Sequence, residues 1–339
     1  MRILLTGGAG FIGSALVREL LNAGHRVRVL DKLTYAGVMA SLTPLEGHPG
    51  YDFVQADIVD AQAVSAIFAD FQPQAVAHLA AETHVDRSIS GPADFIRTNV
   101  LGTQVLLDAS LAHYRSLSSD QQARFRFLHI STDEVFGALG PQGAFDEDSP
   151  YDPRSPYAAS KAASDHLVRA WANTYGLPTV ISNCSNNYGP RQFPEKLIPL
   201  LILSALSDQS LPIYGDGSHV RDWLHVEDHA RALRMMLESA QPGSTYCVGG
   251  GTEMSNLALA QQLCQHLDEL MPRKDGQNHA ARIAMVADRP GHDWRYAIRA
   301  NRIEADLGWH PQVSFEQGLK QTVAWYLANQ DWWQPLSGR

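Results

Sequence analysis

Five side chains near the middle of the chain have types and spacings suited to proton and hydride chemistry. Thr132, Asp133 and Glu134 are contiguous, and Tyr157 and Lys161 follow four residues apart. Residues at that spacing share one helical face. An ammonium one turn from a phenol favours the phenolate, so the Tyr157 pKa, about 10 when free, is expected to fall toward working pH. A phenolate there accepts the proton of an alcohol while hydride leaves the alcohol carbon. Two adjacent carboxyls can divide acid and base roles between them. Like charges in a closed site push their pKa values apart, leaving one group ionised as base and the other protonated as acid. Tyr-x-x-x-Lys alone is also common on exposed helices, so its weight depends on its surroundings.

The run Phe127-Leu128-His129-Ile130-Ser131 reads as a buried strand. Thr132-Asp133-Glu134 forms its polar tip, and adjacent residues diverge on a regular strand, so the tip must be irregular. Ser155-Pro156-Tyr157 opens a long amphipathic segment. In an open α/β sheet, ligands bind beyond the carboxyl ends of the strands.

The N-terminus has a matching signature. Arg2-Ile3-Leu4-Leu5-Thr6 reads as a strand, and Gly7, Gly10 and Gly13 mark a tight turn. An apolar helix pattern follows as far as Gly24, and a second strand, Arg26 to Leu30, ends on Asp31. Such glycines let backbone N–H groups approach a pyrophosphate. Asp31 stands where an acid binds the adenosine ribose and disfavours a 2′-phosphate. NAD is therefore the expected cofactor. A glycine turn with no ligand has the same three glycines; the order strand, turn, helix, strand, acid argues for the nucleotide.

Further strands are expected at Tyr51 to Asp57, Ala75 to Ala81 and Val180 to Cys184, with a helix from Asp94 to Leu111 containing Thr98 and Asn99. This alternation predicts an α/β fold, a Rossmann-type doubly wound parallel sheet over residues 1–185 with returns near 221–250. Beyond 185 the pattern loosens around Pro190, Pro194, Pro199 and Pro212. Helices are expected over Lys196 to Leu206, Asp228 to Glu238 and Ser255 to Leu270, the last capped by Ser255, and a late strand from Thr245 to Gly249. Residues 186–339 thus read mainly as a smaller mixed α/β substrate domain.

A net charge of −9 over 339 residues argues against a nucleic-acid surface. An anionic substrate must then be held by local arginines, lysines and backbone amides. Cys184, Cys247 and Cys264 have no metal-like spacing, and the odd number favours a reduced, cytoplasmic protein. No signal peptide or membrane span is read.

Gly7-x-x-Gly10-x-x-Gly13 with Tyr157-x-x-x-Lys161 resembles the extended short-chain dehydrogenase/reductase superfamily. Within it, Thr132-Asp133-Glu134 resembles the dTDP-glucose 4,6-dehydratases. Asp31 to Gly37, Ala80 to Ser88, Asn186 to Pro190, Phe193 to Pro199, Arg221-Asp222-Trp223 and Asp288 to Asp293 extend the resemblance over nearly the whole chain. It implies a hydro-lyase of deoxysugar (rhamnose-type) biosynthesis. Tyr157, with Thr132 orienting the hydroxyl, would serve C4 oxidation of dTDP-glucose, and Glu134 as base and Asp133 as acid would remove water across C5 and C6.

For NAD, the resemblance implies Gly7, Gly10, Phe11, Ile12, Gly13, Asp31, Lys32, Leu33, Thr34, Asp57, Ile58, Leu79, Ala80, Ala81, Thr83, Thr98, Tyr157, Lys161 and Asn187. For the nucleotide sugar, it implies Thr83, His84, Thr132, Asn186, Glu195, Lys196, Leu197, Pro212, Tyr214, Arg221, Asn256, Arg289 and His292. It also implies a homodimer pairing helices near Asp94–Leu111 and Tyr157–Tyr175. Phe136 departs from a usual Tyr, with packing the expected consequence, and Arg191 departs from a usual aromatic or His near the substrate loop. A 4-epimerase, another nucleotide-sugar dehydratase, and a non-catalytic sugar-nucleotide or NAD(H) sensor are the alternatives. His225 and His229 are four apart, but Val226 stands where the metalloprotease motif needs Glu, so no metal is expected. Trp332-Trp333 reads as packing of a terminal helix.

Overall fold

A computed structural model describes residues 1–288 and 291–336. Seven short apolar runs form one parallel sheet: β1 (Arg2–Thr6), β2 (Arg26–Asp31), β3 (Tyr51–Gln55), β4 (Ala75–His78), β5 (Arg126–Thr132), β6 (Thr179–Cys184) and, returning late in the chain, β10 (Thr245–Val248). The order β10-β6-β5-β4-β1-β2-β3 reverses direction between β1 and β4, the crevice where such sheets take ligands. Gly7 follows β1 at φ +74°, and a Cβ on it would lie 2.6 Å from the backbone N of Ala80, just past β4. Only glycine lets the two strand ends approach so closely.

The remaining strands make two small sheets. β7 (Asn186–Tyr188) pairs parallel with β9 (Val220–His225), which pairs antiparallel with β11 (Glu253–Ser255). β8 (Leu211–Tyr214) pairs parallel with β12 (Ile283–Val286). The second lobe has its own apolar core, including Tyr188, Ile202, Leu263 and Leu319. Each aliphatic side chain fully buried there contributes about 1.5–3 kcal/mol. Trp332 and Trp333 join this core, their indole N–H groups donating to Ser41 Oγ and the Tyr326 carbonyl. The chain does not stay in one lobe. Helix Val226–Ser239 packs back onto helix Phe11–Asn22, β10 closes the edge of the large sheet, and Ile303 of helix Asn301–Leu307 joins the first core.

Helix Pro156–Tyr175 carries Tyr157 and Lys161. Ser155 caps its first turn by accepting from Ala158 N, Pro156 has no N–H to waste at the start, and Gly176 ends it at φ +71°. The expected single helix from Asp94 to Leu111 is instead three pieces: a short turn Pro92–Phe95, a π-helical stretch Ile96–Leu101, and helix Gly102–Ser116. The widened stretch holds Thr98 and Asn99. The Asn99 amide donates to Ser160 Oγ at 2.8 Å and to the Glu82 carbonyl at 3.1 Å. Periodicity could not reveal this, because an extra residue per turn hardly alters the apolar spacing.

Candidate active site

One cleft runs along the carboxyl edge of the large sheet. It is lined by the Gly7–Gly13 turn, Asp31, Asp57 and Leu79–Thr83 at one end, and by Thr132–Glu134, Tyr157, Lys161 and Asn186 at the other. Its centre is the tip of β5. Thr132 keeps extended backbone, and its hydroxyl accepts from Glu134 N at 3.3 Å and donates to Asp133 Oδ1 at 3.2 Å. Asp133 to Phe136 then form one 3₁₀ turn, so the two carboxylates leave the backbone about 120° apart.

Asp133 is almost wholly buried, and its Oδ2 has no hydrogen-bond partner among the described residues. Burial, then the neighbouring charges of Glu134 and Asp222, push its pKa well above the carboxylate range. Both causes favour the protonated form of this carboxyl. The Tyr157 hydroxyl hydrogen-bonds with Thr132, and its pKa is raised by burial first and by Glu134 next. The fall toward working pH expected from the Lys161 spacing is therefore not present in this state. The Lys161 ammonium is drawn to the Ile130 carbonyl at 2.8 Å, and a buried phenol beside carboxylates holds its proton.

The other end of the cleft suits a dinucleotide. Helix Phe11–Asn22 begins at Gly10 with no side-chain cap and no acid in its first turn, which leaves its first N–H groups available to an anion. A Cβ on Gly13 would sit 2.1 Å from the Gly7 carbonyl, so the turn closes only with glycine there. Asp31 accepts from Ala9 N at 2.9 Å and Leu33 N at 2.8 Å, and burial raises its pKa. Lys32 Nζ lies 3.3 Å from Thr98 Oγ1 and 3.7 Å from Asp57. Of the nineteen residues expected for NAD, all but Leu33 line the cleft. Leu33 turns at φ +61° and contributes its backbone N–H to Asp31 instead.

The expected substrate residues fall into two groups. Thr83, Thr132, Asn186, Glu195 and Lys196 line the cleft. His84 caps helix Val85–Ser90 and faces Glu195 at 3.4 Å, and Leu197 opens the next helix. Pro212, Tyr214, Arg221, Asn256 and His292 gather on the second lobe instead. The His292 ring is 6.2 Å from Tyr214 and stacks on His219 at 3.7 Å, and its Nδ1 is 2.7 Å from Asp288. The buried Arg221 guanidinium donates to the carbonyls of Val220, Asp293 and Trp294 and lies 4.5 Å from the Tyr296 ring. Its charge lowers the Asp133 pKa, which ties this group to the β5 tip. Arg289 lies outside the described residues.

Several cleft residues went unread in the sequence. Ser131, Cys184, Ser185, Gln192 and Phe193 line the wall, and Asp222, held by Gly250 N and Thr252 N and pushed by burial to about 6, bears on Asp133. Asp222 sits beside Arg221, where an ion pair is the simpler reading, and nothing in the spacing reveals its reach. Arg191, at φ +69°, lies over the Trp325 ring at 5.4 Å and is not among the cleft-lining residues. Phe136 stacks on Phe145 and meets Tyr151 edge-on. His229 Nδ1 pairs with Asn187 Oδ1 at 2.9 Å.

A family model described as GDP-mannose 4,6 dehydratase matches residues 4–322. A probable dTDP-glucose 4,6-dehydratase of Sinorhizobium fredii is 56% identical over 336 residues, 99% of this chain and 95% of that protein. The dTDP-glucose 4,6-dehydratase of Escherichia coli is 54% identical, over 98% of this chain and 96% of that protein. Among solved structures, a dTDP-glucose 4,6-dehydratase of Streptomyces venezuelae with NAD and TYD bound matches at TM-score 0.89 and 46% identity, over 99% of this chain and 100% of that one. A UDP-glucose 4-epimerase of Thermus thermophilus in complex with NAD shares the fold at TM-score 0.83 but only 30% identity, over 97% and 100%.

Proposed function

This chain belongs to the dTDP-glucose 4,6-dehydratases, and from that premise we propose that it converts dTDP-glucose to dTDP-4-keto-6-deoxy-glucose and water, as an NAD-dependent hydro-lyase of deoxysugar biosynthesis. One observation carries the reading: a buried carboxyl, a second carboxylate, a hydroxyl and a phenol converge at the β5 tip, in the same cleft as the glycine turn. A 4-epimerase needs the phenol and has no use for a buried carboxylic acid.

Bound NAD supplies the hydride acceptor for C4 and the hydride returned to C6. The glycine turn and the uncapped helix start hold its diphosphate, and Asp31 its adenosine ribose. The chain's own groups move the protons. Tyr157, with Thr132 beside it, takes the proton of the C4 hydroxyl from its phenolate form, so the buried phenol must first give up the proton it holds in the state described above. The resulting ketone acidifies the C5 hydrogen, which Glu134 removes. Asp133, its free Oδ2 carrying the proton, gives it to the departing C6 hydroxyl as water forms. A proton is then returned to C5. Thr83, Asn186, Glu195 and Lys196 hold the sugar end, and Arg221, Tyr214, Asn256 and His292 the nucleotide end.

A homodimer fits the surface. Ile89, Ile96, Leu101 and Tyr175 are each 46–53% exposed on neighbouring segments around helix Pro156–Tyr175, an apolar face suited to a second copy. The three buried free thiols suit a reducing compartment such as the cytoplasm. The function is tested by incubating the protein with a panel of nucleotide-glucose substrates and reading the absorbance of the 4-keto product in alkali. Product from dTDP-glucose is expected; a product at C4 with inverted configuration and intact C6 hydroxyl would overturn the reading.

A further inference from the structure

Helix Pro156–Tyr175 carries four polar residues at successive four-residue steps: Tyr157, Lys161, Asp165 and Arg169. A phenol, an ammonium, a carboxylate and a guanidinium thus lie one turn apart on one face. The mechanism above uses only the first; Lys161 lines the same cleft and donates to the Ile130 carbonyl. Asp165 is completely buried beneath the cleft, yet its Oδ2 is supplied with donors from a strand, a loop and the neighbouring strand. Ser131 Oγ and Tyr151 OH each donate to Oδ2 at 2.8 Å, Asn183 Nδ2 approaches it at 3.4 Å, and His129 Nε2 stands 3.0 Å from Oδ1. Arg169 Nη2 donates in turn to Tyr151 OH at 2.9 Å, which extends the array toward the surface.

We propose that Asp165 is a positioning residue for the Tyr157–Lys161 pair: its buried carboxylate is the counter-charge that keeps the Lys161 ammonium protonated beneath the cleft. Among the described residues, the groups packed around Lys161 leave that task to Asp165; Glu134 and Asp133, on the turn after β5, bear on Tyr157. From β4 comes His78, whose ring nitrogens are taken by Thr6 and Thr103; it is fully buried and neutral, with its pKa driven down by burial. From β5 comes His129, brought down to about 4 by burial and by Lys161, so it too is neutral at working pH. From β6 come Asn183, which is uncharged, and the Cys184 thiol, pushed by burial up to about 12. The π-helical stretch offers Asn99 to Ser160 and Ser164 of the same helix, all uncharged. Burial lowers the Lys161 pKa, and Asp165 is the strongest influence raising it. Burial would raise Asp165, but His129, Lys161 and Ser131 outweigh it and hold the group ionised.

The proposal rests on the dehydratase reading of the site, and its test separates the two. NADH formation is followed by single-turnover absorbance in the holoenzyme on adding dTDP-glucose, across a range of pH. Wild-type protein that gives no 4-keto product at any pH fails the dehydratase reading. If wild type responds, Asp165→Asn is expected to move the alkaline limb of its profile down by about one to three pH units, because an unpaired ammonium loses its proton sooner. Asp165→Glu, which keeps the charge, should restore the limb. A profile for Asp165→Asn that superimposes on wild type after scaling, or a Glu variant shifted as far as Asn, overturns the proposal. Where Asp165→Asn does not fold stably, the double variant Asp165→Asn with Lys161→Met removes both charges together. A thermal midpoint higher in the double than in the single variant supports the pairing, since one buried charge is worse than none; a midpoint equal or lower overturns it.

Discussion

The chemistry at the β5 tip turns on which proton sits where. Glu134→Gln keeps size but removes the base, and Asp133→Asn leaves an amide that cannot supply the acid proton. Neither touches the phenol. Both variants are expected to reduce bound NAD on adding dTDP-glucose, while product formation falls about 10²–10⁴-fold. Tyr157→Phe should instead suppress the NADH absorbance itself. Product at near wild-type rate from Glu134→Gln would remove the proposed division of labour. At the far end of the cleft, Asp31 accepts two backbone N–H bonds that fix its carboxylate in place. A 2′-phosphate would meet that charge, so NADP is expected to bind at least tenfold more weakly than NAD by titration. All five central residues were legible in the sequence because reactive groups at the end of a strand have few structural uses. The ionisation of Tyr157 was not legible. Spacing names the neighbour of a phenol, but only packing tells which atom the ammonium reaches, and here that atom is the Ile130 carbonyl.

The elements around the site depend on backbone approach that tolerates little change. Gly13→Ala would drive a methyl to 2.1 Å from the Gly7 carbonyl. The turn must open, at a cost of about 1–3 kcal/mol in stability. The same variant should be purified with less NAD, read from the ratio of absorbance at nucleotide and protein wavelengths. Helix Val226–Ser239 makes a different contribution through His229, which is fully buried and brought by burial down to about 3. Its folded pKa lies below the unfolded value, so the unfolded chain binds a proton that the native state refuses as pH falls below 6.5. The stabilisation by a neutral His229 is therefore present above pH 6.5 and lost below it. The unfolding free energy of wild type relative to His229→Gln should fall by about 1.4 kcal/mol per pH unit between there and pH 4, measured by denaturant titration. A constant difference would place the charge elsewhere. Strand and helix alternation was legible over the first half, where one apolar run maps to one strand. The π-helical stretch was less so, since a single widened turn leaves the apolar pattern of the segment unbroken.

At the scale of the whole molecule, the apolar face around Ile89, Ile96, Leu101 and Tyr175 is expected to be covered by a second copy. Sedimentation at micromolar concentration should give a mass twice the 37.3 kDa of one chain; a monomer would leave that face unexplained. The repeated passage of the chain between lobes has a consequence for how the molecule is made. β6 is complete at Cys184, but its outer neighbour β10 begins only at Thr245, after three strands of the two small sheets and two helices have intervened. During synthesis on the ribosome, the nascent sheet must therefore wait with an open hydrogen-bonding edge while more distant sequence emerges. A chain interrupted in that interval carries a nearly finished nucleotide fold whose β6 border, covered by β10 in the finished sheet, is still unpaired. The pace at which residues 185–248 are made is therefore expected to bear on how cleanly this sheet closes.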